Sequence, residues 1–399
     1  MTVNNAADRT AADAANLLLR LGLVVAFVAG PLMLLVSQRS IFILTPIAGA
    51  LMLSAGLVLA PRLRMREVFS ALGSRVGLAA LFLAFWALVS LLWTPFPSEA
   101  APRLFKIFST FFCVLPIAAS LPARTKANNL YLLPMGVAVA AFGAIFLNMR
   151  FFAEVDEVED DETLIRAVEV MLLLLWPALA ATALRNRLTL SASLAIVTLA
   201  AAISVYVPAA LTATGMAALA FTAASADSSR TARWLGALGA ASFIFAPALP
   251  LLVGPFIGAD AVAPLLGFKI WNGMIVNDGV RILTGHGFNF VGSGFSRGYL
   301  PSPAPHSILF EAWTDLGLIG ALAGAALIYF CYETAAAQSK RLAPFAIGGL
   351  TFVTAMGVFG GATLQLWWIT ALALGLGAFA LAARGDYKTD RPTAPIRLV

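Results

Sequence analysis

Twelve apolar runs, separated by short polar breaks, dominate this sequence: residues 16–37, 41–60, 76–93, 104–120, 130–148, 165–184, 189–207, 210–224, 233–253, 309–331, 343–360 and 364–383. About 20 apolar residues in a helix cross a bilayer, and a helix satisfies its own backbone hydrogen bonds in hydrocarbon. The runs therefore predict an all-α, polytopic membrane protein with about 12 transmembrane helices. Residues 1–399 are expected to form a single integral membrane domain. Composition points the same way: 60% of residues are hydrophobic, 12% are charged, and mean hydropathy is +0.89. Such values exclude an ordinary soluble domain. The first fifteen residues are small and polar, and no small-residue cleavage site follows the first run, so that run is expected to stay as an anchor. Cys113 and Cys331 both fall inside apolar runs, which predicts buried thiols and gives no disulfide framework or zinc spacing.

The net charge is +6, but its arrangement matters more than its sum. With the N-terminus inside, alternate loops carry Arg62, Arg64, Arg66 and Arg75; Arg124 and Lys126; Arg185 and Arg187; Arg230 and Arg233; Lys340 and Arg341. Together with Arg9, Arg20, Arg384, Lys388, Arg391 and Arg397 they make up 18 of the 26 basic residues. That bias predicts cytoplasmic N- and C-termini and a topological, not nucleic-acid-binding, role for the positive charge. Residues 384–399 read as a cytoplasmic tail, unstructured from Asp386 onward.

Two outward segments break the pattern of short connections. Residues 149–165, MRFFAEVDEVEDDETLI, hold seven acidic side chains without the spaced order of a calcium loop, and so read as a solvated face with no metal. Residues 254–308 form the one long hydrophilic insert, a periplasmic loop or cap between the ninth and tenth spans. Its glycines and prolines predict turns, and residues 262–281 predict a short amphipathic helix with Ile270, Trp271, Met274 and Ile275 on one side.

The chain has two histidines. Pro301, Pro303 and Pro305 cannot lie within a helix, so the tenth helix is expected to begin at or just after His306. A helix N-terminus disfavours imidazolium, which predicts a neutral ring at the outer mouth of that span, able to accept a proton. The plain alternative is a histidine that only caps a helix at the interface. His286, flanked by glycines in TGHGF, reads as a surface turn residue. Glu311 and Asp315, four positions apart, are expected to share one helix face, and Asp315 lies too far along the axis to orient the His306 ring. Arg166, Lys269, Arg281 and Arg297 run against the positive-inside trend and are suited to an anionic lipid headgroup, with snorkelling as the alternative for Arg166.

The segment LPSPAPHSILFEAWTDLGLIGAL, at 300–322, resembles the signature of the O-antigen ligase and polysaccharide polymerase family of bacterial membrane glycosyltransferases. WALVSLLW at 86–93, LIRAVEVMLLLLWPALA at 164–180, GHGF at 285–288 and QLWW at 365–368 resemble further stretches of that family in the same order. Ser307, Glu311 and Asp315 stand where the family usually has Asn, Gln and Glu, and Lys269 stands where it often has an arginine.

The resemblance implies a bacterial inner-membrane enzyme that moves a glycan from an undecaprenyl-diphosphate carrier to an acceptor sugar, such as lipid A-core, at the periplasmic face. It implies an inverting, metal-independent reaction without a cofactor. His306 would be the general base, and Arg166, Lys269, Arg281 and Arg297 would bind the donor diphosphate. A polymerase joining lipid-linked repeat units uses the same donor and differs in acceptor, so ligase and polymerase both stay open. A transporter or flippase is the rival of another class.

Overall fold

The computed structural model describes residues 3–59, 65–122, 124–151, 158–258, 260–359 and 365–387. The side chains of Arg9, Arg62, Arg64, Arg66, Lys388, Arg391 and Arg397, those of Cys113 and acidic residues 154–161, and the tail beyond 387 lie outside the described residues. Among the described residues every regular element is a helix, and each of the twelve apolar runs falls on one.

The helices are α1 (Val3–Val24), α2 (Ser40–Leu59), α3 (Arg75–Val89), α4 (Pro97–Ser120), α5 (Leu132–Phe151), α6 (Val158–Leu184), α7 (Leu188–Ser204) and α8 (Pro208–Ala226). Then follow α9 (Ser228–Phe245), α10 (Ala248–Val253), α11 (Ala263–Asn277), α12 (Arg281–Thr284), α13 (Phe290–Ser296), α14 (Ile308–Ala336), α15 (Ala343–Phe359) and α16 (Leu366–Arg384). Eight stretches among the described residues are helices long and apolar enough to cross a membrane; a bent pair, Ser228–Phe245 with Ala248–Phe256 at 50°, makes a ninth if counted as one span. α7 and α15 are apolar but stop at 17 residues. The molecule is thus a membrane-embedded helical protein.

Burial sorts these helices. Glu162–Leu184 of α6 is 89% buried and forms the centre, against which α5, α7, α15 and α16 pack. Arg75–Leu92 is only 11% buried, so its exposed Leu78, Phe82 and Phe85 suit lipid. α8 has the least apolar of the eight qualifying spans, yet Ala210, Ala213, Ala217, Ala220 and Ala224 line one buried face of it. Their spacing of three and four lets α8 lie close against α15, the small-residue packing that serves where lipid gives no hydrophobic drive.

The loop between α9 and α14 is a cap built of short helices. The amphipathic helix expected over 262–281 is α11, with Trp271 buried and Ile270, Met274 and Ile275 packed beside it on Phe310, Val291 and Leu300. Two expectations are corrected. The chain stays docked past Asp386: the Tyr387 hydroxyl donates to the Thr125 carbonyl at 3.0 Å, with the Arg124 and Arg185 guanidiniums 5.6 and 4.9 Å from its ring centroid. Two guanidiniums against one aromatic face give that contact its hold. Cys331 is a free thiol but only partly buried.

Candidate functional site

Helix α14 is broken near its N-terminal end. Gly317 adopts φ 68 and ψ −163 inside it, so the turn before the break cannot keep its carbonyls within the helix. Donors from elsewhere take them. The Thr314 carbonyl accepts from the His286 N–H at 2.8 Å, the Asp315 carbonyl from the Gly287 N–H at 2.9 Å, and the Leu316 carbonyl from Trp86 Nε1 at 2.9 Å. Gly285 and Gly317 touch so closely that a Cβ on Gly285 would lie 2.2 Å from the Asp315 oxygen. Backbone groups freed at a helix break need partners, and the 285–291 loop supplies them.

That loop is pinned from two further sides. The buried Asp315 carboxylate accepts from the Asn289 N–H at 2.8 Å and the Val291 N–H at 2.9 Å. Ser90 Oγ accepts from the Phe288 N–H at 3.0 Å, and Thr94 Oγ1 donates to the Phe288 carbonyl at 3.1 Å. Asn289 sits at φ 66 with its side-chain oxygen on Arg103. Arg103, Asn289, Glu311 and Asp315 line one small space, so Glu311 and Asp315 do share a face, and Asp315 orients the loop rather than the His306 ring. Three sequence stretches far apart in the chain (86–94, 285–291 and 311–317) are therefore one knot.

His306 rides on this knot. The prolines hold 301–305 out of the helix, Ser307 caps α14 by accepting from the Phe310 N–H at 3.2 Å, and the helix starts at Ile308. The His306 ring stacks on Phe295 at 4.3 Å between centroids, 19° from parallel. It is exposed, and its nitrogens make no hydrogen bond to any described residue.

His286 also stacks on a phenylalanine but is otherwise placed differently. Its ring is partly buried and stacks on Phe290 at 4.6 Å. Its Nδ1 lies 3.2 Å from the Thr314 carbonyl and its Nε2 3.3 Å from Asp278 Oδ2. Reading it as a surface turn residue is thus corrected: Gly285 and Gly287 fold it inward against α14. Both nitrogens face protein acceptors, which leaves neither for a substrate.

The four cations divide. Lys269 is exposed on α11 with no hydrogen bond or ion pair to the described residues; Gly267, two positions earlier and on nearly the opposite side of the helix, abuts Pro303 and Pro305, next to His306 in the chain. A Cβ on Gly267 would meet the Pro303 oxygen at 3.0 Å. Arg281 is partly buried, and its guanidinium makes no hydrogen bond or ion pair with the described residues. Arg297 is committed to Glu99, with Nε donating at 2.9 Å, and lies over the Phe96 ring. The Ser293 hydroxyl first, and Arg297 second, hold the Glu99 carboxyl below its usual range. Arg166 is mostly buried, paired with Glu162 at 2.9 Å, donating to Gln38 and lying over the Trp367 ring. No hydrogen bond or ion pair joins Arg166 to His306. However, Gly357 packs on Ile308, and α16 opens at Leu366 beside the Arg166 partner Trp367, which sets both at one end of the bundle.

Sequence reasoning passed over Arg103 and the Asp278–His286 pair. Arg103 lies in an otherwise ordinary helix start, PSEAAPRLFK, and gives no signal there. The glycines around His286 were a signal for a tight, inward turn. Compared with known proteins, the chain matches no family model, no curated protein and no solved structure.

Proposed function

We propose that this protein is a bacterial inner-membrane glycosyltransferase of the O-antigen ligase type. It transfers a glycan from an undecaprenyl-diphosphate carrier to an acceptor sugar hydroxyl at the periplasmic face, with all twelve apolar helices crossing the membrane. The observation that carries the reading is the contrast between the two histidines. A general base needs a nitrogen within reach of the proton it takes. His306 offers both nitrogens to the outside, whereas His286 has spent both on protein.

In the proposed step, a His306 nitrogen takes the acceptor hydroxyl's proton as the acceptor oxygen bonds the anomeric carbon. The bond from that carbon to the diphosphate oxygen breaks on the opposite face, so configuration inverts and the lipid diphosphate leaves. Cations stabilise the charge that develops on it. Lys269, exposed on the helix that packs on the His306 segment and without a partner among the described residues, is assigned to that role. Arg166 shares it: its partner Glu162 is 67% exposed and gives way to a diphosphate that engages the same fork with two oxygens. Arg297, tied to Glu99, serves to hold the cap.

Orientation follows from where charge collects. Arg124, Arg185, Arg341 and the α16 end meet around Tyr387 and Asp386, while His306, Arg103 and Arg166 gather at the other end. Arg166 and Arg185 are separated by roughly 28 Å along α6 at 1.5 Å per residue. The basic end is assigned to the cytoplasm.

The test is made in the cell. Deleting the gene and resolving the surface glycolipids on a gel should leave bare acceptor lipid while polymer builds up on its carrier. Acceptor capped with one repeat would instead identify a polymerase, and an unchanged ladder would reject both. His306→Ala should restore nothing while inserting normally, and full complementation by it would reject the base.

A further inference from the structure

Beside the knot, a shallow, open cleft lies between α11, α12 and α14. Its apolar lining is the partly buried Met274, Ile275, Ile282 and Trp313, with the buried Trp271 behind them. Its rim is polar: Asp278, Arg281 and His286. Trp313 is fixed by its Nε1, which donates to the Phe243 carbonyl at 2.6 Å. His286 is fixed by Thr314 and by Asp278 Oδ2. Two rim groups are left over: the Asp278 Oδ1 oxygen and the whole Arg281 guanidinium, neither hydrogen-bonded to a described residue.

From this cleft we infer a subsite for an uncharged sugar ring, resting on the glycosyl-transfer reading above and deepening it. A free acceptor and a free donor, set at one edge of an apolar floor, match the needs of a ring with neighbouring hydroxyls. One hydroxyl donates to Asp278 Oδ1, and another accepts from Arg281. The ring's C–H face then covers indole and thioether surface, since the cleft is open to such a ligand from one side. A phosphate fits less well. It would gain Arg281, but the Asp278 carboxylate lines the same cleft, and like charges repel. His286 positions Asp278 and touches no ligand.

The experiment uses the full chain in lipid nanodiscs, with tryptophans replaced biosynthetically by 5-fluorotryptophan and read by fluorine NMR. Single Trp271→Phe and Trp313→Phe variants assign the two resonances. The probes are neutral oligosaccharides, released by mild acid from the surface polysaccharide of the cells that make the protein, and inorganic pyrophosphate. The oligosaccharides should shift the Trp313 resonance saturably, and Arg281→Gln should weaken that binding about tenfold, the effect of one charged hydrogen bond. Because the Arg281 guanidinium makes no hydrogen bond or ion pair with the described residues, this variant is expected to keep the fold. Pyrophosphate moving the resonance while oligosaccharide does not would overturn the inference, as would no shift with either or equal binding by Arg281→Gln. His306→Ala should bind oligosaccharide as the parent does. Sugar binding here combined with full complementation by His306→Ala would end the transfer reading and leave this subsite standing.

Discussion

At Gly317 the backbone occupies a region open in practice only to glycine, and its neighbour Gly285 would meet any added Cβ. Gly317→Ala should cost about 1–3 kcal/mol from backbone strain alone, read as a lower melting temperature in detergent. Asp315→Asn should cost about 1–3 kcal/mol, since one of its two partner N–H groups would then face an amide donor. Glu99 gives a pH test. Its carboxyl is lowered from 4.5, so its stabilisation is present above that value and is lost as pH falls through the lowered one. Glu99→Gln should therefore melt below the parent at neutral pH, and the gap should close in strong acid; a gap independent of pH would exclude the pairing. Little of this was readable beforehand. Gly285, Gly287 and Pro305 announced turns and a helix start, which the Ser307 cap bears out. The hydrogen bonds from the His286 and Gly287 N–H groups to the Thr314 and Asp315 carbonyls run between backbone groups, and every residue type carries those, so side-chain identity hides them.

Among elements, the apolar runs translated into helices because period and length are written in side chains, and α11 was legible for the same reason. What was not legible is how α3 serves α14. Trp86 Nε1, from α3, donates to the Leu316 carbonyl beside the break. Trp86→Phe keeps the ring's bulk but leaves that oxygen unpaired, and should cost about 1–3 kcal/mol in thermal stability. An unchanged melting temperature would mean that water or a neighbour replaces the indole. The short helices of the cap were legible only as turns, since α12 and α13 are held by the knot and not by any amphipathic period of their own.

For the molecule as a whole, the two ends carry different chemistry: clustered arginines around Tyr387 at one, His306 with its stacked Phe295 at the other. In a background with Cys113 and Cys331 replaced by serine, cysteine at 306 should react with an impermeant thiol reagent added to intact spheroplasts. Cysteine at 126 should react only after lysis, and the reverse pattern would invert the assigned orientation. The break at Gly317 has a mechanical consequence. Spans longer than the local bilayer thickness tilt when that thickness changes. Here a change of tilt in the turns after Gly317, which pack on α9 and pair Glu333 with Arg75 of α3, need not carry with it the turns before the break, which are fastened to the cap. His306 is thereby insulated from the elastic life of the bilayer, like an instrument mounted on a gimbal.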